Sequence, residues 1–141
     1  MQVLVKSRGM IKRLLLVFII ALILNFLWEE LHSVLYVQHQ NGPVTNFVLF
    51  RAALFDALII TLLAIPFLKF EFLAKRLWIF VILAVLFSIG LELFAIKTNR
   101  WEYSPNMPLV PFLNTGLTPT IQLGLLGYGT LLLMRRLKIW V

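Results

Sequence analysis

Four long apolar segments alternate with short polar segments along the chain. Each apolar segment is close to the roughly 20 residues that a helix needs to cross a bilayer. They cover approximately residues 11–35, 47–68, 77–96 and 119–134. We therefore predict one all-α membrane domain over residues 1–141, a bundle of four transmembrane helices.

The polar connectors contain residues that end helices. Gly42-Pro43 is expected to end the first helix, and residues 69–76 form a short basic turn. The connector between the third and fourth helices holds three prolines and is expected to fold as a rigid lid. Thr118 and Pro119 predict the N-cap and first residue of the fourth helix.

Charge predicts how the bundle is oriented. Ten of the thirteen Lys and Arg residues lie in the N-terminal tail, the 69–76 turn and the C-terminal tail. The positive-inside rule then places both termini in the cytoplasm and the proline-rich loop outside, as in an inner (cytoplasmic) membrane. No small-residue cleavage site follows Leu24, so we expect the first segment to remain as a span.

The same distribution of charge indicates which class of partner the protein binds. The net charge of +7 comes from clusters at the ends of apolar segments, which suits anionic lipid headgroups and argues against nucleic acid. Membrane lipids are therefore the expected partners, with a homo-oligomer as a further possibility. Cysteine is absent from the sequence, which excludes disulfides and thiolate chemistry.

Polar residues interrupt the apolar pattern late in the first helix. Asn25, Glu29, His32 and Tyr36 fall within about 60° of one another on a helical projection, and Glu30 points the other way. A charged side chain that faces lipid costs at least about 2.5 kcal/mol. We therefore expect this stripe to face protein or a water-filled cavity.

Threading the helices in alternate directions brings further polar residues to the same depth. Five of the six carboxylates, all but Glu71, fall on the outer side. Asp56 is expected about 13 Å along the second helix from its outer end. We predict a single polar site there. Its expected acid–base groups are Glu29, His32, Asp56 and Glu92, and its expected ligand contacts are Asn25, Arg51, Trp101, Tyr103 and Gln122.

Several of these residues also have a purely structural interpretation. Glu29 and His32 have the i, i+3 spacing of di-metal bundles, but such sites need a second motif. A single metal held by Glu29, His32 and Glu92 is an alternative, but we expect no metal or other cofactor. His32 is instead expected to hydrogen-bond a carboxylate. Arg51 could pair with Glu29 or Glu92, extend to a lipid headgroup phosphate, or hold an anionic ligand group. Asp56 could donate protons or only accept hydrogen bonds that fix helix packing.

Two resemblances follow from the motifs. Leu27-Trp28-Glu29, Trp101-x-Tyr103, Met107-Pro108 and Gly116-Leu117-x-Pro119-x-x-Gln122 resemble an uncharacterised family of small four-span bacterial membrane proteins, over nearly the whole chain. More weakly, residues 77–135 resemble the membrane-embedded lycopene cyclase domain. There Glu92 precedes Trp101-Glu102-Tyr103-Ser104-Pro105, although Pro119-Thr120-Ile121-Gln122 lacks the paired acids of that domain. The second resemblance implies a scaffold suited to an isoprenoid.

The sequence thus favours a protein that binds or chemically alters an amphipathic lipid or isoprenoid. General acid–base chemistry by carboxylates is available, so whether the protein is an enzyme stays open. One alternative is an oligomeric transporter or channel in which Glu29 or Asp56 cycles a proton or cation. The other alternative is a structural or assembly subunit whose polar groups only specify packing.

Overall fold

A computed structural model describes the backbone of residues 2–140 and the side chains of residues 9–140. Lys6 and Arg8 of the basic tail therefore lie outside the described side chains. The helices in this part of the chain are α1 (Gln2–His32), α2 (Asn46–Lys69), α3 (Glu71–Ala74), α4 (Leu77–Lys97) and α5 (Leu117–Arg136). The strands are β1 (Tyr36–His39) and β2 (Trp101–Tyr103), and a 3₁₀ turn (Ser33–Leu35) joins α1 to β1.

Four of these helices are long and apolar enough to cross a membrane, which confirms the predicted four-helix architecture. The predicted bounds of α2, α4 and α5 lie within two residues of the observed ones. The N-cap prediction was wrong, because α5 begins at Leu117 with Gly116 as its N-cap. Thr118 and Pro119 lie in its first turn, where a missing backbone N–H is tolerated.

The end of α1 also differs from the prediction. The helix stops at His32, and the chain enters β1 before it reaches Gly42, whose backbone pairs with His39 in a tight turn. β1 pairs antiparallel with β2, with Tyr36 opposite Tyr103 and His39 opposite Trp101. We call this strand pair the ribbon. It ties the chain after α1 to the chain after α4 at one end of the bundle, the ribbon end.

The opposite end, which we call the basic end, is closely packed. It contains α3 and the C-terminal Arg135 and Arg136, and here α2 and α4 meet through Phe67 and Phe80, whose ring centroids are 5.5 Å apart. Glycines let α5 approach α4. A Cβ atom at Gly127 would lie 2.4 Å from the Phe80 ring. This close contact closes the bundle near the basic end.

The two faces of α1 differ in exposure and in polarity. One stripe is exposed and apolar: Ile11, Leu15, Ile19, Ile23, Leu27 and Leu31. The opposite stripe is buried and includes Asn25, Glu29 and His32, as predicted. A long exposed apolar stripe is unfavourable in water, and it is compatible with an integral membrane protein.

Candidate functional site: a polar cavity between α2 and α4

A cavity of about 450 Å³ opens between α2 and α4 in the half of the bundle that lies near the ribbon. Away from the Phe67–Phe80 contact the two helices touch sparsely, and α1 and α5 close the back. Its polar wall consists of Glu29, Asp56, Ser88, Glu92 and Gln122. Its apolar walls include Ala52, Phe55, Leu91, Phe94 and Ala95, and its mouth is lined by Tyr36, His39, Arg51, Arg100 and Trp101.

The buried amide of Gln122 organises the back of the cavity. Its Nε2 lies 2.8 Å from Glu29 Oε1, 2.8 Å from Asp56 Oδ2 and 3.1 Å from Asn25 Oδ1. Asn25 is oriented by its own Nδ2, which donates to the Ala21 carbonyl at 2.7 Å. One amide nitrogen has two hydrogens for three acceptors, so these helices converge on a site richer in acceptors than in donors.

The carboxyl groups of Glu29 and Asp56 lie close together, because one oxygen of each is 2.8 Å from the same Gln122 nitrogen. Two carboxylates this close repel each other, so one of them readily holds a proton that it can share with the other. We call this proton the shared proton. Glu29 is buried in α1 and Asp56 is partly buried in α2, so the proton lies between two helices.

Glu92 faces this pair from α4 and is held from the other side by the ribbon. The Tyr103 hydroxyl donates a hydrogen bond to Glu92 Oε2 and accepts one from the backbone N–H of Gly116 at 3.0 Å. Burial and the negative charge of Glu92 raise the pKa of Tyr103, which keeps the phenol protonated as a donor. Tyr103 thus links α4, the ribbon and the start of α5.

His32 does not hydrogen-bond a carboxylate, so that prediction was wrong. Its Nδ1 lies 2.7 Å from the Trp28 carbonyl oxygen, which makes Nδ1 the protonated nitrogen. Its Nε2 lies 3.9 Å from Glu29 Oε2 and has no hydrogen-bond partner among the described residues. His32 packs behind Glu29 and does not line the cavity, and its ring contacts that of Tyr36 with centroids 5.3 Å apart.

Arg51 does not form the predicted ion pair with Glu29 or Glu92. Within the described side chains, no carboxylate oxygen lies within 4.0 Å of its guanidinium. The guanidinium carbon lies instead 5.9 Å from the centre of the Phe47 ring. Arg51 lines the cavity mouth, so the anion-holding role stays a prediction.

The structure separates the five outer carboxylates into two groups. Glu29, Asp56 and Glu92 line the cavity together. Glu102 lies on the exposed side of the ribbon, where it accepts a hydrogen bond from Gln38. Glu30, which was expected to point the other way, does not line the cavity either.

Five polar lining residues were not predicted as site residues: Tyr36, His39, Gln40, Ser88 and Arg100. Ser88 could have been found, because it lies one helical turn before Glu92 on the same face. Its Oγ is buried and has no partner among the described residues. His39 and Arg100 reach the site only through the ribbon, which the hydrophobic pattern does not show.

Metal binding can be tested against the side-chain positions. Among residues 9–140, no group of three or more His, Cys, Asp and Glu side chains has an arrangement that could hold a metal ion. His32 Nε2 lies 3.9 Å from Glu29 Oε2, and His32 does not line the cavity with Asp56 and Glu92. The expectation that the site holds no metal or other cofactor stays a prediction.

Comparison with known proteins gave no matching family model, no matching curated protein and no matching solved structure. The two resemblances drawn from the motifs therefore stay predictions. The fold itself defines a mostly helical chain with four candidate membrane spans, compatible with an integral membrane protein.

Proposed function

We propose that the protein binds an amphipathic lipid or isoprenoid in the cavity between α2 and α4, with the polar part of the ligand against Glu29, Asp56, Glu92 and Gln122. The supporting observation is the division of the cavity into a polar back and an apolar entrance. Phe55 and Phe94 line it and are still 47% and 53% exposed, so it opens on the side of the bundle. An apolar chain can leave through that opening into lipid.

The polar wall offers hydrogen bonds that the protein leaves unused. The Ser88 hydroxyl is buried without a partner, and a buried unpaired hydroxyl is unfavourable by about 1–3 kcal/mol. A ligand with a hydroxyl, carbonyl or ether oxygen at this depth would pair with Ser88. The same ligand atoms could reach the shared proton of Glu29 and Asp56, which supports a general-acid role if the protein is an enzyme.

The test is binding of matched amphiphiles to the purified protein in dodecyl maltoside, followed by native mass spectrometry. We expect geranylgeraniol or dioleoylglycerol to bind, and a hydrocarbon of similar length without a polar group to bind weakly. Ala52→Trp should block the cavity and abolish binding. Leu62→Trp is the matched control, because Leu62 is on the same helix, 60% exposed and outside the cavity.

The result that would overturn this proposal is full binding by a folded Ala52→Trp variant. If Ala52→Trp does not fold, Ser88→Val removes the hydroxyl with little change in volume. It should weaken binding of the alcohol relative to the hydrocarbon. An unchanged ratio between these two ligands would also contradict the proposal.

A second candidate function is proton-coupled transport, which the shared proton of Glu29 and Asp56 favours. The basic half of the bundle is filled by the fully buried Ile60 and Phe80, so a path would have to run between protomers. Proton flux into liposomes that carry a pH-sensitive dye tests this function. Flux that depends on Asp56 and exceeds that of protein-free liposomes would favour transport over ligand binding.

A further inference from the structure

Two arginines line the mouth of the cavity. Arg51 comes from α2, and Arg100 follows α4 just before the ribbon. Neither guanidinium has a carboxylate oxygen within 4.0 Å in the described part of the chain. Each lies near a phenylalanine ring instead, Arg51 by Phe47 at 5.9 Å and Arg100 by Phe94 at 5.2 Å.

The positive charges of both arginines affect the same imidazole, that of His39. Burial and the charges of both Arg51 and Arg100 lower the pKa of this imidazole, which lines the same mouth. Three carboxyl groups line this cavity, yet none of them forms an ion pair with either arginine. The positive groups lie at the mouth and the acids lie deeper, so an anion at the mouth would be attracted by the arginines and kept from the acids.

We propose that the polar part of this ligand ends in a phosphate group, which binds between Arg51 and Arg100, while the atoms next to the phosphate lie against the polar wall and the apolar chain leaves the cavity between Phe55 and Phe94. This inference rests on the proposed function and narrows its ligand to a phosphate ester of a lipid or isoprenoid alcohol. Guanidinium groups match phosphate oxygens with paired hydrogen bonds, and the neutral imidazole of His39 can donate one more.

The spacing along α2 defines which part of the ligand meets the acids. Asp56 follows Arg51 by five residues, which is about 7.5 Å along the helix axis. The shared proton of Glu29 and Asp56 therefore faces atoms of the chain several bonds from the phosphorus. The phosphate serves as the anchor, and any proton transfer takes place on the chain.

The experiment compares three probes in dodecyl maltoside, a detergent without phosphate. The probes are geranylgeranyl monophosphate, geranylgeraniol and inorganic phosphate. For the wild-type protein we expect the monophosphate to bind about tenfold or more tightly than the alcohol. The double variant Arg51→Gln/Arg100→Gln should remove this difference by weakening binding of the monophosphate.

Arg76→Gln is the matched control. Arg76 also lies over an aromatic ring, that of Phe72 at 4.0 Å, but it is at the basic end and outside the cavity. This variant should keep the tenfold preference. Arg51→Lys/Arg100→Lys keeps the charge without the planar donors and should retain only part of the preference.

The possible contrary results separate the two proposals. If alcohol and monophosphate bind equally, the phosphate inference is wrong and the proposed function stands. If the preference survives in Arg51→Gln/Arg100→Gln, the phosphate binds elsewhere and the inference is also wrong. If inorganic phosphate displaces the monophosphate at similar concentration, the site takes a free anion. If no amphiphile binds, both proposals are wrong.

Discussion

Tyr103 in the ribbon donates its hydroxyl hydrogen to the carboxylate of Glu92 in α4, and this bond joins the loop above the cavity to the cavity wall. The same hydroxyl accepts from the Gly116 backbone, one residue before α5 begins. The segment between α4 and α5 is thereby fixed at both its ends. We call this segment the roof of the cavity, because its residues Arg100 and Trp101 line the cavity mouth.

Tyr103→Phe should loosen this roof. The variant leaves the partly buried Glu92 carboxylate without its donor, and a hydrogen bond to a charged group contributes about 1.5–3 kcal/mol. We expect a lower unfolding midpoint in detergent and faster hydrogen exchange in residues 104–116. Tyr128→Phe is the control, because Tyr128 is exposed on α5. Unchanged exchange in the Tyr103 variant would show that other contacts hold the roof.

Gln122→Leu should destabilise the bundle at the point where α1, α2 and α5 meet. The variant keeps most of the side-chain volume, but it removes the donor shared by Asn25, Glu29 and Asp56. Buried acceptors without a donor are unfavourable by about 1–3 kcal/mol each, so a loss of several kcal/mol is expected. Unfolding in SDS measures it. Leu125→Ala, on the exposed face of α5, should have little effect, and an equal effect of both variants would contradict this role.

Gly127→Ala and Gly129→Ala should have opposite effects on stability. An added Cβ at Gly127 would lie 2.4 Å from the buried Phe80 ring, and such overpacking costs about 1–3 kcal/mol. An added Cβ at Gly129 meets nothing within 4 Å, so the higher helix propensity of alanine should stabilise the protein by up to about 1 kcal/mol. Thermal unfolding of the two variants tests this. A destabilised Gly129→Ala variant would indicate packing against a second copy.

The sequence predicted the helices well because a helix that crosses the hydrocarbon core needs a long, continuous apolar segment, which is easy to recognise. Residues 47–68 and 77–96 are bounded by charges or turns. The observed α2 and α4 differ from these ranges by no more than one residue at either end. The buried stripe on α1 was also predictable, since period 3.6 places Asn25 and Glu29 on one face. The convergence of Glu29, Asp56 and Glu92 followed from helix direction alone.

The ribbon could not be predicted in the same way. Its strands are four and three residues long, and their pairing joins Tyr36 to Tyr103 across most of the chain. No local pattern encodes such a contact, because it depends on where the ends of α1 and α4 lie in space. Two of the predictions that failed, for the end of α1 and for the partner of His32, concern the same region. Arg100 and His39 were missed for that reason.

His39 should titrate below its usual pKa of 6.5. Burial and the charges of Arg51 and Arg100 lower the pKa, so the unfolded chain binds this proton more readily than the folded chain. The stability contributed here is fully present above about pH 6.5 and is lost as the pH falls through the folded pKa. Imidazole NMR should show a midpoint below 6.5 that rises in Arg51→Gln/Arg100→Gln. A midpoint unaffected by that double variant would place the arginines too far away to act.

Cysteine labelling should reveal which end of the bundle faces the cytoplasm. The sequence has no cysteine, so a single introduced cysteine reports one position. Asn106→Cys lies in the exposed loop at the ribbon end, and Glu71→Cys lies on the exposed surface of α3 at the basic end. The positive-inside rule predicts that a membrane-impermeant maleimide added to intact bacterial cells labels only the Asn106 variant. Both variants should react equally after the membrane is dissolved. Labelling of Glu71→Cys in intact cells would reverse the orientation and place the cavity on the cytoplasmic side.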